Sequence, residues 1–533
     1  MIPFTSNFPL ELFDKICFYL TKKQKAICQS VCQDWKVLFA ASQYRHVQII
    51  GQRQFQSFFP SLFTCGHYIK TLSIQDVCIS SNQFNSLPTL SPFLYSLRLI
   101  HVQPTEPIND QVFKEWKYLR CLDQDIIHQI TSYPTLLSHL SIHLNPSQPL
   151  HPTLHPNLNQ LVIRSGIISV HQLDLIHQAC PTLQELCLID VCLEPCSEHE
   201  TTAAVHLQIL KIENAEGLNA EWLEYVAFKY PNLREICLWK HIDQPTLSPD
   251  SLQKHWRAVA ELGHRCHQLK SIHLLNLPVN QSFFQALDSA GTELEKIGLG
   301  DMTEHTSDAL RALVRSRQQV THLTLWGWPS LCIPGMMEHM VRLVGCCSHR
   351  LISFEFSMQF SGIRNSPFPL TALLASSSTL KQLDLGCIQT VSLPTYQHRT
   401  LNKLVLRDSC FRNQLFQDLT HLAPNLSHLQ LDSCTLIDQA HQEIKIHLPH
   451  HSLQSLHISS IRPPSNHYHM KVMREVKFFH VLTHKQDIYE LMDYEGHRPT
   501  RYARLEPDLV TGPCASIQCA VLGELLIAGF LIN

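Results

Sequence analysis

The sequence predicts an α/β fold, a right-handed repeat solenoid behind an all-α N-terminal segment. A parallel sheet lines its concave side and helices coat its convex side. Three observations lead there. The motif Leu-x-x-Leu-x-Leu, with Ile, Val or Phe as substitutes, recurs from YIKTLSI through TLQELCL and NLREICL to SLQSLHI. Its first apolar residues fall at 69, 94, 119, 137, 158, 183, 207, 233, 269, 294, 320, 351, 380, 401, 426 and 453. A proline stands two residues ahead of a leucine in YPTL, HPNL, CPTL, YPNL and APNL, where it stops a helix before the next strand.

A spacing that clusters near ~25 residues with this signature is that of a leucine-rich repeat. Each unit reads as strand, turn, helix, turn. The helical part is clearest in Trp222, Leu223, Val226, Ala227 and Tyr230. The longest gap, from 233 to 269, contains PDSLQKHWRAVAELGHRCHQL and reads as a longer convex helix. Stacked units place their strands side by side, because one unit cannot bury its apolar face alone.

Ahead of the repeats lies FPLELFDKICFYLTKKQKAICQSVCQDW. Pro9 sits one step inside a helix, where its missing N–H costs nothing. Leu12, Phe13, Ile16, Cys17 and Leu20 form an apolar stripe at helical spacing. Thr21 and Gln24 have the spacing of a capping box and can start a second helix. Ile27, Cys28, Val31, Cys32, Trp35 and Leu38 continue the period, and the helical pattern runs to about Ala41. A segment of ~40 residues with so many large apolar side chains cannot bury them internally, so it is expected to dock on something else.

These residues resemble an F-box, whose pattern is Leu-Pro-x-Glu-Leu-Leu-x-x-Ile-Phe-x-x-Leu, a spacer, then Val-Cys-x-x-Trp. Phe8, Pro9, Glu11, Leu12, Phe13, Ile16 and Leu20 fill the first half, with Phe8 for Leu and Cys17 for Phe. Val31, Cys32 and Trp35 fill the second. Between them the family prefers Asp-Leu-Leu, and this chain has Gln24, Lys25 and Ala26. With the repeats, the likeness is to the F-box/leucine-rich-repeat receptors and covers most of residues 8 to about 460. The resemblance implies a substrate-recognition subunit of an SCF-type cullin-RING ubiquitin ligase. Its F-box would hold a Skp-type adaptor through Phe8, Pro9, Leu12, Ile16, Leu20, Val31 and Trp35, and its repeats would hold a protein target. Such a subunit is not itself an enzyme, ubiquitin transfer belonging to its partners. The alternative is a leucine-rich-repeat scaffold outside that pathway, its first helices serving only as a cap.

The expected organisation is thus an F-box over 1–46, a linker or cap over 47–65, repeats over 66–462, and a C-terminal cap with an apolar tail over 463–533. The tail, PCASIQCAVLGELLIAGFLIN, is long enough for a membrane anchor, but Glu524 near its middle would be costly in lipid. A docked strand or helix is the expectation, and a membrane partner is not. Charged residues make up 16% of the chain and the formal charge is −3, so nothing electrostatic points to nucleic acid. Twenty cysteines without a secretory signal suit a reducing, intracellular compartment, cytoplasmic or nuclear.

No phosphate loop, dinucleotide fingerprint, H-E-x-x-H or G-x-S-x-G stands in the chain. Cys192, Cys196 and His199 could begin a zinc site but have no fourth ligand at recognisable spacing. Cys346 with Cys347, and His467 with His469, read as packing or surface, and no cofactor or metal is expected.

The informative surface is the concave sheet, where residues alternating with the leucines face outward. Most are small or polar, and Trp239 and Trp326 are the exceptions. With Leu275, Gly298 and Gly300 they come from four consecutive repeats, the glycines flanking Ile297 and Leu299 on the third. Strands ~4.8 Å apart would set the tryptophans roughly 14 Å from each other, bracketing a glycine-floored recess. Trp239, Leu275, Gly298, Gly300 and Trp326 are therefore the expected target-binding centre, with His273, His322 and Thr324 able to orient a ligand.

Overall fold

The computed structural model describes residues 10–20, 22–109, 111–125, 133–144, 156–196, 202–241, 248–300, 305–316, 319–326, 336–346, 350–357, 367–391, 397–437, 443–462, 478–482, 486–490, 503–504, 514–527 and 530–532. Two compact units divide the chain: Met1–Leu233 with Lys240–Gln244, and Arg234–Trp239 with Pro245–Asn533.

The first unit opens with helices α1 (Leu10–Tyr19), α2 (Lys22–Gln29) and α3 (Gln33–Tyr44). The expected continuous period from Ile27 to Leu38 is broken between α2 and α3. Both the backbone N–H and the hydroxyl of Ser30 bond the Ile27 carbonyl, closing the turn. Cys32 then adopts extended backbone as the N-cap of α3. Serine competes for nearby backbone in this way, which makes it a poor interior helix residue. The first strand, β1 (His46–Ile50), follows where the apolar–polar alternation around Val47 and Ile49 favours one, and its Ile49 is buried.

Strands β2 (Thr71–Ile79), β3 (Ser96–Pro104), β4 (Cys121–Gln124), β5 (His139–His143), β6 (Gln160–Arg164), β7 (Glu185–Ile189) and β8 (Ile209–Ala215) follow. Each pairs in parallel with the next, and β1 pairs with β2. The register aligns equivalent repeat positions: Leu97, Leu122, Leu140, Leu161, Leu186 and Leu210 form one row.

The second unit repeats the scheme with β9 (Glu235–Lys240), β10 (Ser271–Leu275), β11 (Lys296–Gly300), β12 (His322–Trp326), β13 (Ser353–Ser357), β14 (Gln382–Gly386), β15 (Lys403–Arg407), β16 (His428–Asp432) and β17 (Glu443–Ile458). These too pair in parallel, in order. The apolar tail forms β18 (Cys514–Ile527), parallel to β17, with Ile517, Cys519 and Leu525 buried. Of the two docked forms expected, it takes the strand. Among the described residues no helix is long and apolar enough to cross a membrane.

All sixteen first apolar residues of the repeats are buried, the most exposed being Val320 at 4%. Burying a leucine contributes ~1.5–3 kcal/mol, so this row is a substantial part of the core. Several helices between the strands begin on polar caps. Ser80 with Gln83 and Ser169 with Gln172 form capping boxes, while Asn219 and Ser248 cap Ala220–Lys229 and Pro249–Arg265. The last two are the helices expected around Trp222 and in the long gap.

One regularity escapes the leucine pattern. Asp76, His101, Ser165, Asp190, Asn214, Asn276, Cys387, Asp408 and Ser433 all have positive φ, between 47° and 60°. Each lies seven residues after the first apolar position of its repeat. There the chain bends, within β2, β3 and β8 and just past the strand elsewhere, and in several repeats the turning N–H bonds the last carbonyl of the next strand, as Ser165 does to Ile189. Asn and Asp tolerate the left-handed region best among side-chain-bearing residues. Asn214→Val should therefore destabilise the first unit by about 1–2 kcal/mol, whereas Asn214→Gly should cost far less. Urea midpoints of the two variants check this, and equal midpoints would contradict it.

Candidate interaction surfaces

On the N-terminal helices, two sets of apolar side chains separate by face. Phe13 and Trp35 both pack on Phe39, with ring centroids 4.8 and 5.4 Å away, and Cys17 and Phe39 are buried. These hold the helices together. Leu12, Ile16, Ile27, Val31 and Val37 stay exposed, by 47, 45, 59, 61 and 53%. Leu20 and Trp35 are half-buried. Of the residues expected to hold an adaptor, Leu12, Ile16 and Val31 are therefore open to solvent, Leu20 and Trp35 support them, and Phe8 and Pro9 lie outside the described residues.

In the second unit, Trp239, Leu275, Gly300 and Trp326 occupy one register row across β9–β12. The expected separation of the two tryptophans is not found. Their rings meet edge to face, with centroids 5.6 Å apart and planes at 86°. Strand spacing sets where Cα atoms stand, but large side chains lean across small neighbours. A Cβ on Gly300 would lie 2.8 Å from the Trp326 carbonyl oxygen and 2.9 Å from its Cβ. Leu275 is buried at 5%, and both glycines are buried. The expected recess is thus filled by its own walls. What remains is an apolar plate of two half-buried indoles over glycine, in an arrangement aromatic pairs favour. Each indole Nε1 is buried and finds no hydrogen-bond partner among the described residues. Gly298 serves His273 similarly, since a Cβ there would collide with the imidazole ring.

Beside the plate a polar cluster crosses the same face. Thr324 donates to Glu355 at 3.4 Å, and Arg407 reaches Asp384 at 2.6 Å and Glu355 at 3.8 Å. Burial pushes the Asp384 carboxyl up to about 6 against the pull of Arg407. Alternation with the leucines turns Glu355, Asp384 and Arg407 outward, but does not tell that one guanidinium gathers both carboxylates.

A second polar network lies on the helical side of the first unit, unannounced by any motif. Lys229, 3% exposed, pairs with Asp174 on the helix Val170–Ala179, and Tyr225 donates to the same carboxylate at 3.3 Å. His177 Nε2 lies 3.0 Å from the Tyr230 hydroxyl. Asp174, His177 and Lys229 edge a cavity of ≈ 360 Å³ with Thr202 and His206. Burial, and then the Lys229 charge, lower the His177 pKa to about 4. Lys229 and Asp174 thus form an ion pair whose ammonium is buried and whose carboxylate also accepts from Tyr225.

Two buried histidines have structural partners. His398 accepts from the Leu401 N–H and bonds the Ser377 carbonyl, and His451 bonds the Ala423 carbonyl. Among the described residues no group of three metal-ligating side chains assembles. His199, Cys347, His467 and His469 lie outside them.

No protein-family model and no curated protein matches the chain. Among solved structures it is similar to one described as the Toll–Spatzle complex of Drosophila, at 14% identity and a TM-score of 0.30. That match covers 72% of this chain and 57% of the other.

Because His177 is neutral when folded and titrates near 6.5 when unfolded, its contribution is complete above that range. It is lost as pH falls toward about 4. Between pH 7 and pH 5 the wild type should lose about 2 kcal/mol more stability than His177→Gln. Urea titrations of both proteins at the two pH values measure the difference, and parallel losses would refute the assignment.

Proposed function

We propose that this chain is the substrate-recognition subunit of an SCF-type ubiquitin ligase. Its N-terminal helices hold a Skp-type adaptor and its repeats hold a protein target. A leucine-rich-repeat type of fold fits protein interaction generally, since its outward sheet positions vary without disturbing the core. The ligase reading rests on the N-terminal surface. After Phe13, Cys17 and Phe39 have packed, five large apolar side chains on three short helices remain uncovered. Several exposed large apolar side chains on one short segment support an interaction site. Leu12, Ile16 and Val31 are also positions of the F-box pattern. The subunit is non-catalytic in this reading, and ubiquitin transfer lies with its partners.

The plate of Trp239 and Trp326 is the proposed target contact, with Leu275 and the two glycines as its support. Tryptophan is enriched at binding hot spots, where truncation commonly costs 2 kcal/mol or more. A scaffold outside the ubiquitin pathway is the competing reading, and Gln24, Lys25 and Ala26, where the F-box pattern has Asp-Leu-Leu, favour it.

Leu12→Ala with Ile16→Ala should abolish co-precipitation of the Skp-type adaptor while the circular-dichroism spectrum stays intact. Undiminished capture by the double mutant would sink the ligase reading and leave the scaffold. Trp239→Ala with Trp326→Ala should retain the adaptor and lose targets that wild type captures. Retention of every target would place the contact elsewhere on the sheet.

A further inference from the structure

The outward face of β3–β6 in the first unit carries a concavity of ≈ 310 Å³. Its floor is small: Ser96 on β3, Cys121 on β4, Ser141 on β5 and Val162 on β6. The Ser141 hydroxyl oxygen is buried there without a partner among the described residues. Around it stand Arg98 and Asp123, paired with each other, with His139, Gln160 and Arg164. Where the chain enters β3 and β4, the surface continues as exposed aromatic rings with cations laid over them. Phe93, Tyr95 and Tyr118 are 43, 44 and 52% exposed. Lys70 Nζ sits 4.9 Å from the Phe93 centroid, and the Arg120 guanidinium 5.7 Å from that of Tyr95. Phe93 and Tyr118 pack at 5.8 Å.

The charges here do not balance. Asp123 is taken by Arg98 at 3.0 Å, and Asp125 accepts from the His101 backbone N–H. Glu185, one strand beyond, lies near Lys211 at 3.9 Å. Lys70, Arg120 and Arg164 face no carboxylate among the described residues. Three cations without an ion pair among the described residues thus lie on β6 and at the strand entries beside β3 and β4, in a chain whose formal charge is −3. Two of them are pre-oriented over aromatic faces, so little side-chain freedom remains to be lost on binding.

We infer that this surface binds an acidic, aromatic-containing peptide segment of a protein partner. Its carboxylates pair with Arg164, Arg120 and Lys70, and its rings lie against Tyr95, Phe93 and Tyr118. One carboxylate enters the concavity, where Ser141 and Gln160 supply hydrogen bonds beside Arg164. Single-stranded nucleic acid, the other ligand that aromatic rings beside cations can take, is gripped along a basic groove of ~4–16 nucleotides, and an oligonucleotide probe therefore tests it directly. The inference rests on the reading of the repeats as a protein-interaction surface, but uses neither the N-terminal helices nor the tryptophan plate.

The test uses the full-length chain and fluorescence anisotropy with three labelled probes: an alternating Glu–Tyr peptide, the matching Lys–Tyr peptide, and oligo-dT. Wild type should bind the Glu–Tyr peptide in a salt-sensitive way, and Arg120→Glu with Arg164→Glu should weaken it at least about tenfold while improving Lys–Tyr binding. Arg120→Gln with Arg164→Gln should weaken it without creating the new preference. Both variants should keep the wild-type melting temperature, since both arginines are exposed. Equal Glu–Tyr affinity across all three proteins, or tighter binding of oligo-dT than of Glu–Tyr by wild type, would overturn the inference. Adaptor capture by the same variants separates the two readings. Its loss from all three proteins would refute the ligase alone, and its retention with unchanged peptide binding would refute this site alone.

Discussion

The constraint on which everything else depends is that a single repeat cannot cover its own leucines. A strand of five residues with two inward side chains and one more before the strand has an apolar face open on both flanks. Only a neighbouring strand in the same register closes it, because a slip of one residue would turn every leucine to the opposite face. Pairings such as Leu274 with Leu299, and Leu299 with Leu325, keep that register through the second unit. Every outward residue then falls into a row as strictly as the core does. Function on such a sheet is a matter of which side chains share a row.

Two consequences of that ordering differ in kind. Along β9–β12 the row runs Trp, Leu, Gly, Trp, and the glycine lets large rings lean together into a plate. Along β3–β6 the row runs Arg, Asp, Ser, Val, and small side chains between long ones leave a hollow with charge at its rim. Same backbone, opposite relief. Size alternation decides whether an outward row rises or sinks, and charge decides what such a hollow can accept.

The N-terminal helices follow a different logic. They are short, and isolated helices of such length are marginal in water, so their order comes from the few rings that meet at Phe39. The apolar residues left over point away from that contact. A stripe read from sequence alone counts Phe13 and Cys17 with Leu12 and Ile16 as one set, and packing divides it. Which half is free for a partner depends on how α1 and α3 meet.

The repeats, the parallel sheet, the long helix at Pro249–Arg265 and the docking of the apolar tail were all legible in the sequence. Each rests on a local pattern that one chain segment carries whole: a leucine period, a proline ahead of a strand, a helix cap. The turn residues with positive φ were not read there, because no leucine period marks them and it is the backbone that sets them in one column. The meeting of Trp239 with Trp326, the gathering of two carboxylates on Arg407, and the Lys229–Asp174 pair were not legible either. In each, the partners lie at least 23 residues apart in sequence, and their approach depends on side-chain lean, neighbour size and burial, none of which a periodic pattern encodes. The sequence determined which residues face inward and which outward. Tertiary packing alone decided which outward residues touch, because contact across strands depends on the volume of everything between them.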